Sequence, residues 1–323
     1  MERGPGMGGK VLTATTFDLA AAVPRARSSL AGAAAWSAFA LALATIVATP
    51  IEPAFAWSWS IVGVIFLSFK GVLLARTRPS ILRRMGVARL LGFVFLWPGM
   101  DVRPFAERSS PAGRAKPQIA AGDPLARRLL VGGILNLLAG LVLLWLSGVD
   151  SIRDETYLRA AVGLVGAALV VLYGIFDLLT AIWRWRGVAV TKQWRFLLAS
   201  TSLADYWAAR WNRAFHDFVH QQVFMPLKRR YDVTTALAGS FLFSGVLHDM
   251  ILSIPARGGY GMPTLYFLLQ GFGVWCDRRW LLGTVWRRPW GALVLLAPLG
   301  LLFHRPFIER VVIPQLDLIR ALV

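Results

Sequence analysis

The sequence predicts an all-α, polytopic transmembrane helical bundle of about seven spans, with re-entrant and interfacial helices beside them. Of the 323 residues, 56% are hydrophobic and only 16% are charged, and the mean hydropathy is +0.57. Soluble domains are roughly 45–50% apolar with about 25% charged residues. In addition, several almost uncharged stretches reach the ~20 residues that a helix needs to cross a bilayer.

Each predicted span is an apolar stretch that ends at charged or turn-forming residues. The seven spans are Leu30–Thr49, Ala54–Ala75, Leu129–Gly148, Tyr157–Trp183, Val233–Ile254, Met262–Cys276 and Trp290–Phe303. The first is too long for the apolar core of a cleaved signal peptide, so we expect it to be retained. A further apolar stretch, Leu90–Leu96, is too short to cross, so it is predicted to be re-entrant or interfacial.

The charges between the spans predict the orientation. With seven crossings, every Arg-rich loop falls on one side, which the positive-inside rule makes the cytoplasmic side. Residues 1–29 are expected to be a disordered cytoplasmic N-terminus, residues 30–308 a single membrane-embedded domain and residues 309–323 a C-terminal tail. The Ala- and Arg-rich composition favours a bacterium, so we expect an integral protein of the plasma membrane.

The net charge of +18, from 35 Lys and Arg against 17 Asp and Glu, has the same topological origin. It is typical of membrane proteins with basic cytoplasmic loops, and we expect no nucleic-acid partner. The single cysteine, Cys276, excludes an intrachain disulfide and a multi-cysteine metal site. Four histidines are too few for a histidine-rich metal centre. No metal and no cofactor are therefore expected.

The basic segment from Arg184 to Arg230 has the composition of a packed helix rather than of a solvated loop. Ser202 and Asp205 form a capping-box pattern, which predicts a helix that continues until just before Pro226. One stripe of this helix is mostly apolar: Trp207, Trp211, Ala214, Phe218 and Gln222. We expect this stripe to lie in lipid or against other spans.

On another face of the same predicted helix, Asn212, His216 and His220 follow at i, i+4 and i+8. The two histidines could reach one metal ion, but no third ligand is evident nearby. A membrane-surface helix without chemistry and a functional helix both remain open.

The span that starts at Val233 carries an unusual polar strip. Ser240, Ser244 and His248 follow at i, i+4 and i+8, whereas Asp249 points about 100° away and cannot form a relay with His248. Any partner of His248 is therefore expected from elsewhere in the chain. The imidazole is either a structural group that donates to a carbonyl or a general base at neutral pH.

The depth of His248 poses a geometric question. It lies roughly 22 Å along the span from Val233 at 1.5 Å per residue. Either the span starts later, or it tilts, or the chamber in front of the imidazole is deep.

These segments together resemble the wax synthase-like branch of the membrane-bound O-acyltransferase (MBOAT) family. Residues 202–213 read Ser-Leu-Ala-Asp-Tyr-Trp-Ala-Ala-Arg-Trp-Asn-Arg, and residues 244–249 read Ser-Gly-Val-Leu-His-Asp. Weaker likenesses are found at residues 95–101 and 267–271, and the resemblance extends over roughly Ala54 to Arg310. Two departures from the branch are the Ala208-Ala209 pair in place of Gly-Arg, and Asp249 where many members have Glu.

The resemblance implies a helical bundle that encloses a reaction tunnel, an acyl-CoA donor from the cytoplasm and a hydroxyl-bearing lipophilic acceptor from the membrane lipid. His248 matches the catalytic histidine of the family and Asn212 matches its paired asparagine. His248 would take the hydroxyl proton, and Asn212 would hold the acceptor or polarise the thioester carbonyl. The candidate substrate-binding residues are Trp207, Arg210, Trp211, Ser244 and Gln270. For Gln270 a hydrogen bond between helices is the alternative.

Basic residues of the same segment could attract the phosphates of CoA, although the same charges also satisfy the positive-inside rule. These residues are Arg210, Arg213, Lys228, Arg229 and Arg230. The leading hypothesis is ester formation from acyl-CoA and a lipophilic alcohol, as in wax ester synthesis. An alternative is acetyl transfer to a small-molecule or natural-product alcohol.

A transporter is a third hypothesis, with Lys70, Asp177 and His248 as its polar pathway. The sequence shows no internal repeat of the kind that many transporters have. Lys70 is expected to extend its amine towards the interface, and Asp177 is expected either to pair with Arg184 or to line the tunnel.

Overall fold

The computed structural model describes residues 27–106, 123–280, 283 and 285–322. Within these ranges the chain forms helices and loops, without a β-strand, which confirms the predicted fold class. The predicted disordered N-terminus lies outside the described residues as far as residue 26.

Ten helices of the described ranges build the bundle. They are α1 (Arg27–Ala48), α2 (Ala54–Arg76), α3 (Pro79–Phe95), α4 (Pro124–Leu146), α5 (Thr156–Trp185), α6 (residues 213–230), α7 (Val233–Ala256), α8 (Met262–Arg279), α9 (Arg287–Leu302) and α10 (Arg305–Leu322). A π-helical segment interrupts α5 at Leu169–Ile175. Three shorter helices are Arg103–Ala106, Asp150–Arg153 and Leu203–Asp205.

Among the described residues, five helices are long and apolar enough to cross a bilayer, namely α1, α2, α4, α5 and α7. The pair α9 and α10, bent by 62°, brings the number to six if it counts as one span. Our prediction of about seven included α8, which has 18 residues and buries Gln270 and Asp277. Hydrogen bonds to neighbouring segments satisfy these two polar side chains. The opposite face of α8 is apolar and exposed, at Leu265, Leu268 and Phe272.

The predicted non-spanning stretch Leu90–Leu96 forms the end of α3 and the first residue after it. Gly86 interrupts α3 with φ 71° and ψ 162°, a backbone conformation that favours glycine. With 17 residues and three arginines, α3 is too short and too charged to count among the helices that could cross the membrane.

Two ionisable residues of the spans make contacts that the sequence did not predict. Lys70 does not reach the interface; it is 1% exposed, donates to the Gly99 carbonyl at 2.6 Å and lies 3.6 Å from the centre of the Phe93 ring. Asp177 pairs with Lys192 rather than with Arg184. Both residues therefore connect spans to the segments that follow them.

Helices α7 and α8 pack closely along their lengths. A Cβ atom on Gly245 would lie 2.8 Å from the Thr264 Cα, so only glycine permits this approach. The Asp249 carboxylate accepts hydrogen bonds from the backbone N–H groups of Gly261 at 2.9 Å and Thr264 at 3.2 Å. Asp249 thus joins the end of α7 to the start of α8 and leaves the neighbouring His248 without a carboxylate partner.

The C-terminal segment that we expected to be a tail forms α10. Val311, Val312 and Leu316 are buried against Leu252 and Ala256 of α7, which gives this segment an apolar surface to pack on. An ion pair of 2.6 Å between Arg159 and Asp317 also joins α10 to α5.

Candidate active site

The predicted helix after Ser202 starts as expected but is broken at Asn212. The Ser202 hydroxyl accepts from the backbone N–H of Asp205 at 3.0 Å, which confirms the cap. Tyr206–Arg210 is a π-helical turn, and Asn212 then adopts the left-handed conformation with φ 39° and ψ 64°. Asparagine is among the few non-glycine residues that accept this conformation. The prediction of an uninterrupted helix was therefore wrong.

Backbone hydrogen bonds to an earlier segment explain the break. The Arg195 N–H donates to the Arg210 carbonyl at 2.9 Å and the Arg213 N–H donates to the Gln193 carbonyl at 3.1 Å, so neither group is available to a continuous helix. The Arg210 guanidinium pairs with Asp205 at 2.7 Å and donates to the Phe196 carbonyl at 3.1 Å. Hydrogen bonds from Arg210 and Thr201 outweigh the effect of burial and lower the pKa of Asp205, so the carboxylate stays ionised. These contacts hold Arg210 at the end of the π-helical turn, and the helix is interrupted at Trp211 and Asn212.

Helix α6 starts at this break and runs to Arg230, past Pro226, which we had expected to end it. A π-helical turn, His220–Phe224, precedes the proline, which therefore occupies the first turn of the regular helix Met225–Arg230. A missing N–H costs little there. The Phe218 ring of α6 stacks on the Phe69 ring of α2 at 3.7 Å, so α6 packs against the spans rather than on lipid alone.

Asn212 presents its amide group in a defined orientation. Its Oδ1 accepts from the backbone N–H of Phe215 at 3.1 Å and caps α6. Since the N–H group needs an acceptor, the oxygen of the amide must face the helix. The Nδ2 hydrogens remain available, because the amide nitrogen has no hydrogen-bond partner among the described residues.

A cavity of about 480 Å³ extends along one face of α7 from its first residue to His248. Its lining on this helix is Val233, Leu237, Ser240, Phe241, Ser244 and His248. Asp232 caps α7 through the backbone N–H of Thr235 at 2.6 Å. The helix therefore begins at Val233, and the length of the cavity favours a deep chamber. Much of its wall is apolar, but it also holds most of the polar side chains that line the two cavities described below, so we call it the polar chamber.

The tautomer of His248 follows from its hydrogen bond. Its Nδ1 lies 2.7 Å from the Ser244 carbonyl oxygen. Because a carbonyl only accepts, Nδ1 carries the proton and Nε2 keeps its lone pair. The partner comes from the same helix, not from elsewhere in the chain as we expected. The imidazole of His248 therefore combines a backbone-fixed orientation with a free basic nitrogen.

The rest of the polar chamber comes from α6, α8 and the segment before α6. Asn212, His216 and His220 all line it. Near Val233 its lining includes Lys228 and Arg278, which form no ion pair with a described residue. This end of the chamber is therefore positively charged.

A second cavity of about 520 Å³ meets the first at His248. Most of its wall is apolar and includes Leu197, Leu203, Tyr266, Ala292, Leu295, Leu296, Leu299, Leu302 and Phe303. The Leu296 side chain is 58% exposed on the surface of the bundle. We call this cavity the apolar chamber. Four residues line both chambers: Trp207, Trp211, His248 and Phe267.

The buried carboxylate of Asp277 fixes the segment before α6 relative to α8 and α9. It is 0% exposed, accepts from the backbone N–H of Ala204 at 3.1 Å and pairs with Arg287 at 2.6 Å. The Asp277 carboxylate thus connects α8, α9 and the segment before α6, all of which surround the two chambers.

The structure separates the five candidate substrate-binding residues into two groups. Trp207, Trp211 and Ser244 line the chambers. Arg210 and Gln270 do not: the first is paired with Asp205, and the second is 0% exposed behind Trp207. Of the five basic residues considered for CoA, Lys228 lines the polar chamber.

Sequence analysis missed Arg278 and the apolar chamber. A signal for Arg278 existed, because Phe267, Val274 and Arg278 share one face of α8 and all line the polar chamber. The apolar chamber had no such signal, since Leu203 and Ala292 meet only through the fold.

His216 and His220 stack with ring centroids 5.8 Å apart in the wall of the polar chamber. Burial, together with the neighbouring His216, lowers the pKa of His220, so this imidazole is neutral at pH 7. Within the described ranges, no group of three or more His, Cys, Asp or Glu residues could hold a metal ion.

The fold and the two chambers define an integral membrane protein with a histidine that lines two adjoining cavities. Residues 192–269 match the model of the membrane bound O-acyl transferase family. No curated protein matches the chain. The family match includes Asn212 and His248, so it confirms the predicted resemblance at the level of the family and supports an acyltransferase activity in general.

Proposed function

We propose that this protein is an acyl-CoA-dependent O-acyltransferase that esterifies a lipophilic alcohol, as wax ester synthases do, with His248 as general base. The observation that carries the proposal is the free Nε2 of His248 at the junction of a polar and an apolar chamber. Neither chamber alone would bring a charged donor and an apolar acceptor to one base.

The polar chamber suits the donor. Lys228 and Arg278 at one end would attract the phosphates of CoA, and the serines, the histidines and Asn212 offer partners to the amides of its pantetheine arm. Under the positive-inside rule this end faces the cytoplasm, where acyl-CoA is found. The thioester would then reach His248 from the cytoplasmic side of a bacterial plasma membrane.

The apolar chamber suits the acceptor. Its leucine-rich wall would hold a hydrocarbon chain, and the exposed Leu296 marks a side of the chamber that faces lipid. A lipophilic alcohol would therefore enter from the bilayer and present its hydroxyl at His248.

The reaction needs no covalent enzyme intermediate. The hydroxyl proton moves to Nε2 of His248 as the oxygen attacks the thioester carbonyl carbon. The Nδ2 hydrogens of Asn212 stabilise the oxyanion that forms. The C–S bond then breaks, and the thiolate takes the proton back from Nε2. The products are the ester and CoA, and His248 returns to its neutral state.

Acetyl transfer to a small-molecule or natural-product alcohol is a second candidate. If the apolar chamber holds the acceptor, a long acyl chain needs further room, whereas an acetyl group does not. A polar pathway for transport receives less support, because Lys70 and Asp177 line neither chamber.

The test is an assay of ester formation with purified protein in detergent. Labelled acetyl-, octanoyl- and palmitoyl-CoA are each supplied with alcohols of short and long chain. We expect the wild type to form an ester and the folded His248→Ala variant to form none above background. His304→Ala serves as the matched control, since it removes an imidazole that lines neither chamber. Full activity of His248→Ala would contradict the proposal.

A further inference from the structure

The indole of Trp207 stands between the two chambers. Trp207 lines both of them. Its ring lies 5.6 Å from the Phe267 ring and 5.8 Å from the Phe241 ring. The Phe267 ring in turn lies 4.3 Å from the imidazole of His248. A movement of this indole would change the wall that separates the chambers beside the base.

Gln270, which lines neither chamber, fixes the Trp207 indole through a hydrogen bond. Its Oε1 accepts from the Trp207 Nε1–H at 3.3 Å, and its Nε2 donates to the Val294 carbonyl at 2.7 Å. An indole nitrogen only donates and a carbonyl only accepts, so the amide has one orientation that satisfies both. Since Gln270 is 0% exposed, a rotation of its side chain would leave buried polar atoms without partners.

The second partner connects the indole to the wall of the apolar chamber. Val294 belongs to α9, whose neighbouring residues Ala292, Leu295 and Leu296 line that chamber. Helices α8 and α9 are in close contact here, because a Cβ atom on Gly273 would lie 2.6 Å from the Val294 side chain. Gln270 therefore positions Trp207 relative to two helices at once without lining either chamber.

We propose that Gln270 is a positioning residue that keeps Trp207 as the partition between the chambers, and that this partition makes an alcohol, not water, the nucleophile. The inference rests on the proposed acyl transfer. A base such as His248 activates water as readily as an alcohol, so the outcome depends on which molecule reaches it. The indole lies in the shared wall beside the base, so its position decides whether the acceptor hydroxyl or a water molecule occupies the space in front of Nε2.

The test compares Gln270→Leu, Trp207→Phe and the double variant in detergent. Ester and free CoA are measured in the same reaction, so that transfer and thioester hydrolysis are counted separately. We expect the ratio of hydrolysis to transfer to rise about tenfold in each single variant, the size of effect that loss of one buried hydrogen bond can cause. The acceptor KM should rise and the donor KM should stay unchanged.

The double variant distinguishes positioning from general destabilisation. If Gln270 acts through the indole N–H, the double variant is no worse than the worse single variant. The matched control is Ser253→Ala, which removes a fully buried hydroxyl bonded to the Gly259 carbonyl at 3.2 Å, away from both chambers. It should lower the melting temperature without changing the ratio of hydrolysis to transfer.

The inference is overturned if Gln270→Leu changes only the melting temperature, as the control does, or if the two single effects add in the double variant. A measurement that needs no turnover runs in parallel. In protein labelled with 5-fluorotryptophan, the fluorine resonance lost in Trp207→Phe identifies Trp207, and Gln270→Leu should shift or broaden it. An unchanged resonance overturns the inference. A wild type that forms no ester, with the resonance still perturbed, contradicts the proposed function alone.

Discussion

Two histidines lie in apolar surroundings of this bundle, and their contacts differ. His304 is 2% exposed and uses both ring nitrogens: Nδ1 accepts from the Phe307 backbone N–H at 3.2 Å, and Nε2 lies 3.1 Å from the Ser253 hydroxyl. It lines neither chamber and caps α10 at the bend after α9. His248 uses Nδ1 alone and lines both chambers.

The comparison teaches that a buried histidine is available for chemistry only if one nitrogen stays free in front of an open space. The residue type, the apolar environment and a neutral imidazole are common to both sites. What differs is a second hydrogen-bond partner, which stabilises the fold at His304 and is absent at His248. The predictions below test this difference from the largest expected effect to the smallest.

The largest effect is expected from His248→Gln. Glutamine retains a polar side chain of similar size but cannot act as a base at neutral pH. Because general bases contribute about 10²- to 10⁴-fold to a rate, we expect ester formation to fall by that factor. The melting temperature should change little, which circular dichroism in detergent can check. Wild-type turnover in this variant would show that His248 is not the general base.

Asn212→Asp separates the two tasks of that side chain. A carboxylate can still cap α6 and tolerates the left-handed conformation, but it replaces the amide donor with an acceptor. Loss of one oxyanion donor costs about 10²- to 10³-fold, so kcat should fall by that amount while the fold persists. Steady-state kinetics beside a melting curve measures both. Equal kcat values for the variant and the wild type would show that the amide serves only as a cap.

His304→Ala should have the opposite profile to His248→Gln. It removes the acceptor for Phe307 and the partner of Ser253, so we expect a loss of about 1–3 kcal/mol in the free energy of unfolding. Turnover per folded molecule should stay within about twofold of the wild type. Denaturation followed by activity measurement on the folded fraction gives both values. A large loss of turnover with unchanged stability would reverse the roles of the two histidines.

Arg278→Gln is predicted to weaken donor binding without affecting chemistry. An exposed ion pair contributes about 1 kcal/mol or less, so the KM for acyl-CoA should rise about two- to fivefold at unchanged kcat. The effect should shrink at high salt, because exposed charges are screened. Its neighbour Arg279, which lines neither chamber, is the matched control. If Arg279→Gln raises the KM equally, a general surface charge explains the effect.

The smallest effect concerns His220. Burial lowers its pKa, so the folded protein disfavours protonation of this imidazole, whereas the unfolded chain takes up the proton below its pKa of about 6.5. Its contribution to stability is therefore present above that pH and is lost as the pH falls further. The melting temperature of the wild type should drop more between pH 7.5 and 5.5 than that of His220→Gln. Equal drops would exclude this contribution.

The sequence predicted the α7 side of the site well, because helical periodicity alone puts Ser240, Ser244 and His248 on one face. The sequence identified Asn212 as a candidate site residue, but it did not predict that the helix breaks there. The local sequence favours a continuous helix, and the break depends on the backbone hydrogen bonds that residues 210 and 213 make with residues 193 and 195.

Contacts between distant segments explain the other differences. Lys70 was expected to reach the interface, but the Gly99 carbonyl, 29 residues away along the chain, offers it a partner inside the bundle. Gln270 was expected either to face substrate or to join neighbouring helices, and its hydrogen bonds to Trp207 and Val294 agree with the second alternative. The helical period of 3.6 residues shows which side chains share one face of a helix. A contact between residues that are distant in sequence leaves no such pattern in the sequence around either of them.

The protonation of the two ring nitrogens of His248 tests the central claim most directly. In protein labelled with ¹⁵N-histidine, the resonances lost in His248→Gln identify this imidazole. We predict a proton on Nδ1 and an unprotonated Nε2 at neutral pH, while His304 shows the reverse. A proton on Nε2 of His248, with Nδ1 bare, would contradict the account, because that nitrogen could then not accept the proton of an alcohol.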